Sequence, residues 1–341
     1  VVGVVELGGL LCESLTEAED AAALSFSITS TETIIAEQSS YTETPGDAFT
    51  DGIARKVWMG TVTDPEQADD EAVPRTVSMT WGEVCDVETF LLKVVKRNVD
   101  GTTTIVKTVP CAAGSDTDIC LVEVRKGWRK PSSVTASAFS TSPPRTTVDP
   151  DSTSSEGRRL GSPSSIPAGR ELQDSGDTII NVMVLYSNQA RAILGGITDG
   201  QMETTILESL VWTNQAMINS LVPVFFNPVH IGRLPYDEQS TDGIETLTEL
   251  RTNVDVVDLR GFYEADLVQL VGYFNDGFCG WGYLYFDNAD YGFSLVKATC
   301  LDNYVHTHEY GHNLGCHHDR ESTSWSTDYS HGTRYCDGIA P

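Results

Sequence analysis

The sequence is 341 residues long, 40% hydrophobic and 9% aromatic; that is enough for two domains, since a single core stops growing near about 250 to 300 residues. Its 49 acidic residues against 22 basic ones give a formal charge of -27, a field that repels phosphate and argues against nucleic acid and anionic membrane as partners. No apolar run approaches the roughly 20 residues that cross a bilayer.

The opening stretch Val1 to Leu11 is apolar, but Glu6 interrupts it and no basic flank precedes it, so it is not the pattern of a secretory signal. The first residue is Val1 rather than Met, and the natural start is expected upstream. From about Arg55 to Glu123 short alternating runs such as RKVWMGTV, RTVSMTW and FLLKVVKR are separated by Asp, Gly, Pro and Asn. They predict a small antiparallel β-rich region spanning residues 1–130, with a hairpin turn at Asn98 to Gly101. Residues 131–177 are rich in Ser, Thr, Pro and Gly and poor in large apolar side chains. They cannot offset the entropy of ordering, and an exposed linker is expected there. Arg158-Arg159 and Arg170 within it are accessible basic positions of the kind that processing proteases cut.

From residue 178 onward the pattern becomes α/β. Thr178 to Tyr186 is a nearly continuous apolar run, as in a strand covered on both faces. In Gln201 to Leu221 the residues Ile206, Leu210, Met217 and Leu221 recur at helical spacing. Val224 to Leu234 reads as a strand, Asp242 to Arg251 as a helix, Asp266 to Phe274 as a strand and Phe293 to Thr299 as a fourth strand. This alternation implies a mostly parallel sheet with crossover helices.

Five of the seven histidines fall between His306 and His318. His308 and His312 are four residues apart, which on a helix places them about 40° apart and about 6 Å along the axis, on one face. Two imidazoles so placed can chelate one zinc ion. Glu309 stands beside the first of them, where it can act as a general base without occupying a coordination position. Gly315 can adopt positive φ, end the helix and return His318 to the metal from another direction. The five fixed positions of H-E-x-x-H-x-x-G-x-x-H arise by chance in a chain of this length with probability on the order of 10⁻⁵. His317 is expected to face solvent, and His306 and His331 are expected at the surface or behind the ligands.

The run His308 to Asp319, HEYGHNLGCHHD, resembles the extended zinc-binding signature of the metzincins, and the Asp after the third His makes it similar to the reprolysin or adamalysin-like branch. The runs IINVMVLY, TNQA, ADLVQLV, FCGWGYL and FSLV stand upstream in the order seen in reprolysin-like secreted peptidases, so the resemblance extends from Thr178 to the end. It implies an α/β fold of metzincin type, a catalytic domain at 178–341 with a mostly parallel sheet and an antiparallel edge strand, preceded by a small β-rich propeptide-like domain. It further implies one catalytic Zn2+ held by His308, His312 and His318, and peptide-bond hydrolysis in protein substrates by a zinc-activated water with Glu309 as the base. Phe293 to Thr299 would be the edge strand that pairs with substrate, and Cys279 and Cys300 would form a disulfide. The family places a Met-containing turn beneath the zinc, whereas all five methionines, Met59, Met79, Met183, Met202 and Met217, lie upstream of the signature. A catalytic domain incomplete at its C-terminus is therefore expected.

The eight cysteines include no C-x-x-C pair, and their number suits an oxidising compartment; with the resemblance, this points to a secreted zymogen whose propeptide inhibits in cis. Cys12, Cys85, Cys111 and Cys120 are the candidates for a thiolate that would hold the metal in a latent form, with paired disulfides the more economical reading for Cys111 and Cys120. The reading from a different class is a non-catalytic zinc-containing binding protein that keeps the fold; the presence of Glu309 favours the enzyme. A zinc aminopeptidase is a weaker third reading.

Overall fold

Two large sheets and a two-stranded one carry the chain in the computed structural model, which describes residues 23–27, 33–62, 75–82, 90–97, 103–110, 119–126, 178–284, 288–320 and 330–332. The expected turn at Asn98 to Gly101, the linker at 131–177 and Cys12, Cys85, Cys111 and Cys336 lie outside those residues. The first sheet is a seven-stranded antiparallel meander in sequence order: β1 (Ala23–Ser27), β2 (Thr33–Thr44), β3 (Arg55–Val62), β4 (Arg75–Gly82), β5 (Leu91–Arg97), β6 (Thr103–Pro110) and β7 (Ile119–Lys126). Alternating side chains such as Ile34 and Ala36, Val77 and Met79, and Leu92 and Val94 bury one face around Trp58. The strand β2 went unpredicted because its second half, EQSSYTET, is too polar to read as a core strand.

The second sheet has five strands in the order β11-β12-β10-β8-β9. Its members are β8 (Thr178–Tyr186), β9 (Val224–Arg233), β10 (Leu267–Gly272), β11 (Gly280–Gly282) and β12 (Phe293–Lys297). Pairing is parallel throughout, except that β11 runs antiparallel to β12. The strand β8 is apolar on both sides for a visible reason. Val182, Val184 and Tyr186 point into one core, and Met183 and Leu185 point into another. The helix α1 (Asn188–Ile193) follows β8. Next, α2 (Asp199–Asn219) opens with a full capping box in which Thr198 and Gln201 satisfy each other's backbone amides. On the opposite face lie α3 (Gly243–Thr252), capped by Asp242, and α4 (Val254–Phe262), capped by Asn253.

The edge of this sheet requires a correction. Phe293 to Thr299 was expected to be the substrate-pairing edge, but β12 is internal, parallel to β10 on one side and antiparallel to β11 on the other. The antiparallel edge is β11, Gly-Trp-Gly, too short and too rich in glycine to carry a strand signal.

The first sheet packs on α2. Phe49 bridges to Ile231 at the outer side of β9, and Ala48, Phe49, Val57 and Met59 join the core around Ile206, Leu210 and Phe226. Several polar groups at this seam are paired. Glu208 accepts from Ser78 Oγ at 2.7 Å and Trp212 Nε1 at 2.7 Å, with Lys93 Nζ at 3.4 Å. The buried Arg55 lies 3.7 Å from Glu203, which also accepts from the Tyr186 hydroxyl at 3.0 Å.

Candidate metal centre

After β12 a 3-10 turn, Ala298–Asn303, leads to Tyr304, which takes a left-handed conformation with φ 56. The helix α5 (Val305–Asn313) starts there. It is held from below by side chains of α2 and β9: Thr307 Oγ1 donates to Thr213 Oγ1 at 3.0 Å, and the Tyr310 ring stacks on Phe226 at 4.8 Å. Its end is a Schellman turn. Gly315 has φ 90, its amide bonds His312 O at 2.9 Å, and the Cys316 amide bonds Gly311 O at 2.8 Å. Only a residue without Cβ takes that φ at little cost. The turn sends the chain back as β13 (His317–Asp319), which pairs with β14 (His331–Gly332).

This path gathers His308, His312 and His318, whose candidate ligand atoms all lie within 4.8 Å of one another. His318 Nε2 is 3.1 Å from both His308 Nε2 and His312 Nε2. Three nitrogens about 2.05 Å from a tetrahedral zinc ion would be about 3.3 Å apart, so the donor set fits such an ion with small adjustment. The tautomer fits as well. His312 Nδ1 donates to Cys316 O at 2.7 Å, which leaves the Nε2 lone pair facing the cluster. Burial lowers the pKa of His308 and takes His312 to about 4, so both rings are neutral and available as ligands near pH 7.

Glu309 is 3% exposed, and its carboxyl lies against the backbone of β11 beside Gly280 and Gly282. Burial raises its pKa to about 8. On its far side, Asn313 donates from Nδ2 to Tyr283 O and Phe293 O, each at 3.0 Å, and so joins the end of α5 to the strand edge. A disulfide between Cys279 and Cys300 fastens the start of β11 to the 3-10 turn that precedes α5.

One histidine is placed differently from expectation, and for another the fold decides between the two expected placements. His317 is buried, 5% exposed, with its ring 5.6 Å from that of His331. Adjacent residues of a strand point to opposite sides, so the turn that carries His318 to the cluster drives His317 inward. His306 is fully buried and bonded through Nδ1 to Gln269 Oε1, with Gln269 in turn donating to Ser294 Oγ at 2.9 Å. The surface alternative fails for it, because His306 sits on the face of α5 turned to the sheet. His331 lies behind the ligand loop, with Nδ1 3.2 Å from His318 O. The contribution of β11 escaped the sequence reading altogether; the only signal for it was the pair of glycines flanking Trp281.

A family model described as metallo-peptidase family M12B, reprolysin-like, matches residues 205–319, from within α2 through β13. No curated protein matches the chain. Among solved structures, one titled "Structure of a chaperone-substrate complex" is similar at 22% identity and a TM-score of 0.38, covering 47% of this chain. The chain spans about a quarter of that structure's chain, 26%.

Proposed function

Proceeding from residues 205–319 as a reprolysin-like metzincin segment of a metallopeptidase family, we propose that the protein is a zinc-dependent endopeptidase in which His308, His312 and His318 hold one Zn2+ and Glu309 is the general base. The observation that carries this reading is the convergence of three imidazole nitrogens, one of them already fixed in the ligating tautomer, at the helix whose residue next to His308 is the buried Glu309. Zinc at such a site supplies a Lewis acid that polarises a peptide carbonyl and acidifies water. Glu309 accepts the proton of the attacking water on a carboxylate oxygen and hands it to the departing amine nitrogen. Among the described residues the outer side of β11 pairs with no other strand, so it can receive an extended substrate by strand addition. The chain's own backbone then orients the scissile bond across the face of α5.

In the same reading, residues 1–130 are a propeptide, 131–177 a linker cut near Arg159 or Arg170, and 178–341 the catalytic region of a secreted zymogen. Support for secretion is the Cys279–Cys300 disulfide, a bond favoured in oxidising compartments. No helix among the described residues is long and apolar enough to cross a membrane.

Casein cleavage by the 1–341 chain, with and without a chelator and beside Glu309→Ala, tests the proposal. The expected result is chelator-sensitive cleavage that falls by about 10²- to 10⁴-fold in the variant while zinc stays near one per chain. A wild type that binds zinc but cuts nothing, even after removal of residues 1–170, would replace the enzyme with a zinc-containing binding protein.

A further inference from the structure

The edge strand β11 does more in this structure than end the sheet. Its two glycines lie on the same face, and that face meets Glu309. A Cβ built on Gly280 would stand 2.7 Å from Glu309 Cδ and 2.8 Å from Cγ, with Oε1 closer still. These separations are inside van der Waals contact, so the carboxyl occupies the space that any side chain at 280 would need. A Cβ on Gly282 would meet different atoms, namely Glu309 O, Glu309 Oε2 and His312 Cβ, each at 3.1 Å.

The strand itself has little freedom to yield. Trp281, pointing to the opposite face, donates from Nε1 to Asp276 at 2.6 Å. Cys279, one residue before Gly280, is held by its disulfide to Cys300, and its carbonyl accepts from Lys297 N at 2.8 Å. Gly280 is further paired across the ladder with Val296. Of the two partners in the close approach, the strand is fixed and the glutamate side chain is the one that can rotate.

We propose that Gly280 is a positioning residue for the catalytic acid-base group: the bare backbone of the edge strand forms the seat of the Glu309 carboxyl, and a methyl at 280 displaces that carboxyl from the metal centre without disturbing the ligands. The proposal rests on the endopeptidase reading for its catalytic meaning, but the seat itself is a steric fact that can be tested without turnover.

The test is a double-mutant cycle on the metal-free 1–341 chain, read by thermal unfolding. Gly280→Ala should lower Tm by about 2–4 °C in the presence of Glu309 and by much less in a Glu309→Ala background, where the carboxyl is gone. Gly282→Ala serves as the control. Two of its three contacts, with Glu309 O and His312 Cβ, survive in that background and only the one with Oε2 is lost, so most of its Tm loss should persist there. Equal shifts from Gly280→Ala in the two backgrounds, zero included, overturn the proposal. In the zinc-loaded form, Gly280→Ala should reduce kcat at least about tenfold, at the low end of what a displaced proton-transfer group costs, with KM within twofold and zinc near one per chain. Loss of zinc in Gly280→Ala would also overturn it, since the ligands would then have moved. A wild type that binds zinc but fails to cut casein even after removal of residues 1–170 removes the endopeptidase reading and leaves the result of the cycle standing.

Discussion

The two large sheets of this protein are built by opposite rules. In the first, each strand lies beside its neighbour in sequence, β1 through β7. In the second, the order β11-β12-β10-β8-β9 places strands beside partners reached through crossovers. The chemistry follows the connectivity. The buried charged groups of the first sheet, Arg55 and Lys93, both face carboxylates on α2 and serve the seam. The second sheet and its surroundings bring Gly280 against Glu309, and His318 against His308 and His312, from three separate elements. A meander joins residues already close along the chain, whereas a crossed-over sheet assembles a centre from distant ones, and its irregular edge supplies the opening.

The contrast is broken most completely by His312→Ala. Removing the imidazole that is fixed through Cys316 O should cost more than about 100-fold in zinc affinity and abolish cleavage, while circular dichroism of the β-rich first sheet stays unchanged. Zinc titration by calorimetry checks it, and an unaltered affinity would remove His312 from the ligand set.

The seam between the sheets is the next largest effect. Lys93 is 5% exposed and Glu208 is 2% exposed, so Lys93→Ala leaves a buried carboxylate without its cation and should destabilise by about 3 kcal/mol in urea unfolding. Pairing Lys93→Met with Glu208→Gln should restore most of the loss, because the Ser78 and Trp212 donors to the side chain at 208 remain. If the double variant is as unstable as the single one, the ion pair is not what the seam depends on.

Within the second sheet, Asn313→Ala removes the donor shared by Tyr283 O and Phe293 O. Phe293 O keeps the Tyr283 amide as a donor at 3.3 Å, so an expected loss of about 1–3 kcal/mol follows from stranding Tyr283 O, with a larger fractional loss of activity than of stability as α5 loosens from the edge. Equal thermal stability in variant and wild type would show that water replaces the amide.

The smallest effect sharpens the comparison by pH. Glu238, in the loop after β9, is 7% exposed, and burial, with Glu249 as a lesser cause, raises its pKa. The folded form then holds its proton at pH values where the unfolded chain has released it, so stability falls as pH rises above the unfolded carboxyl value near about 4.3. Glu238→Gln cannot ionise, and its Tm relative to wild type should be higher at pH 8 than at pH 5. A constant offset across that range would mean that Glu238 is ionised in the fold. His230 gives the opposite slope within β9. Burial depresses its pKa to about 4, so its contribution is present above the unfolded value and is lost as pH falls from about 6.5 toward 4.

Much of this protein was legible from spacing alone. The continuous apolar run at Thr178 to Tyr186 marked a strand buried on both faces, and the helical stripe with Ile206 and Leu210 marked α2, because burial imposes those periods directly on the residues. The gathering of His308, His312 and His318 was legible for the same reason: a helical i, i+4 pair and a glycine turn are local geometry. What the sequence could not settle was which strand forms the edge, which way His317 turns and what surrounds Glu309. A three-residue strand has no period to read, and His306 and His317 differ from the candidate ligands only in the side from which the sheet meets them. Those outcomes depend on long-range packing: α5 is closed over β11 and β12 by the Cys279–Cys300 bond and by Asn313, and only the folded chain brings a glycine at 280 against a glutamate at 309.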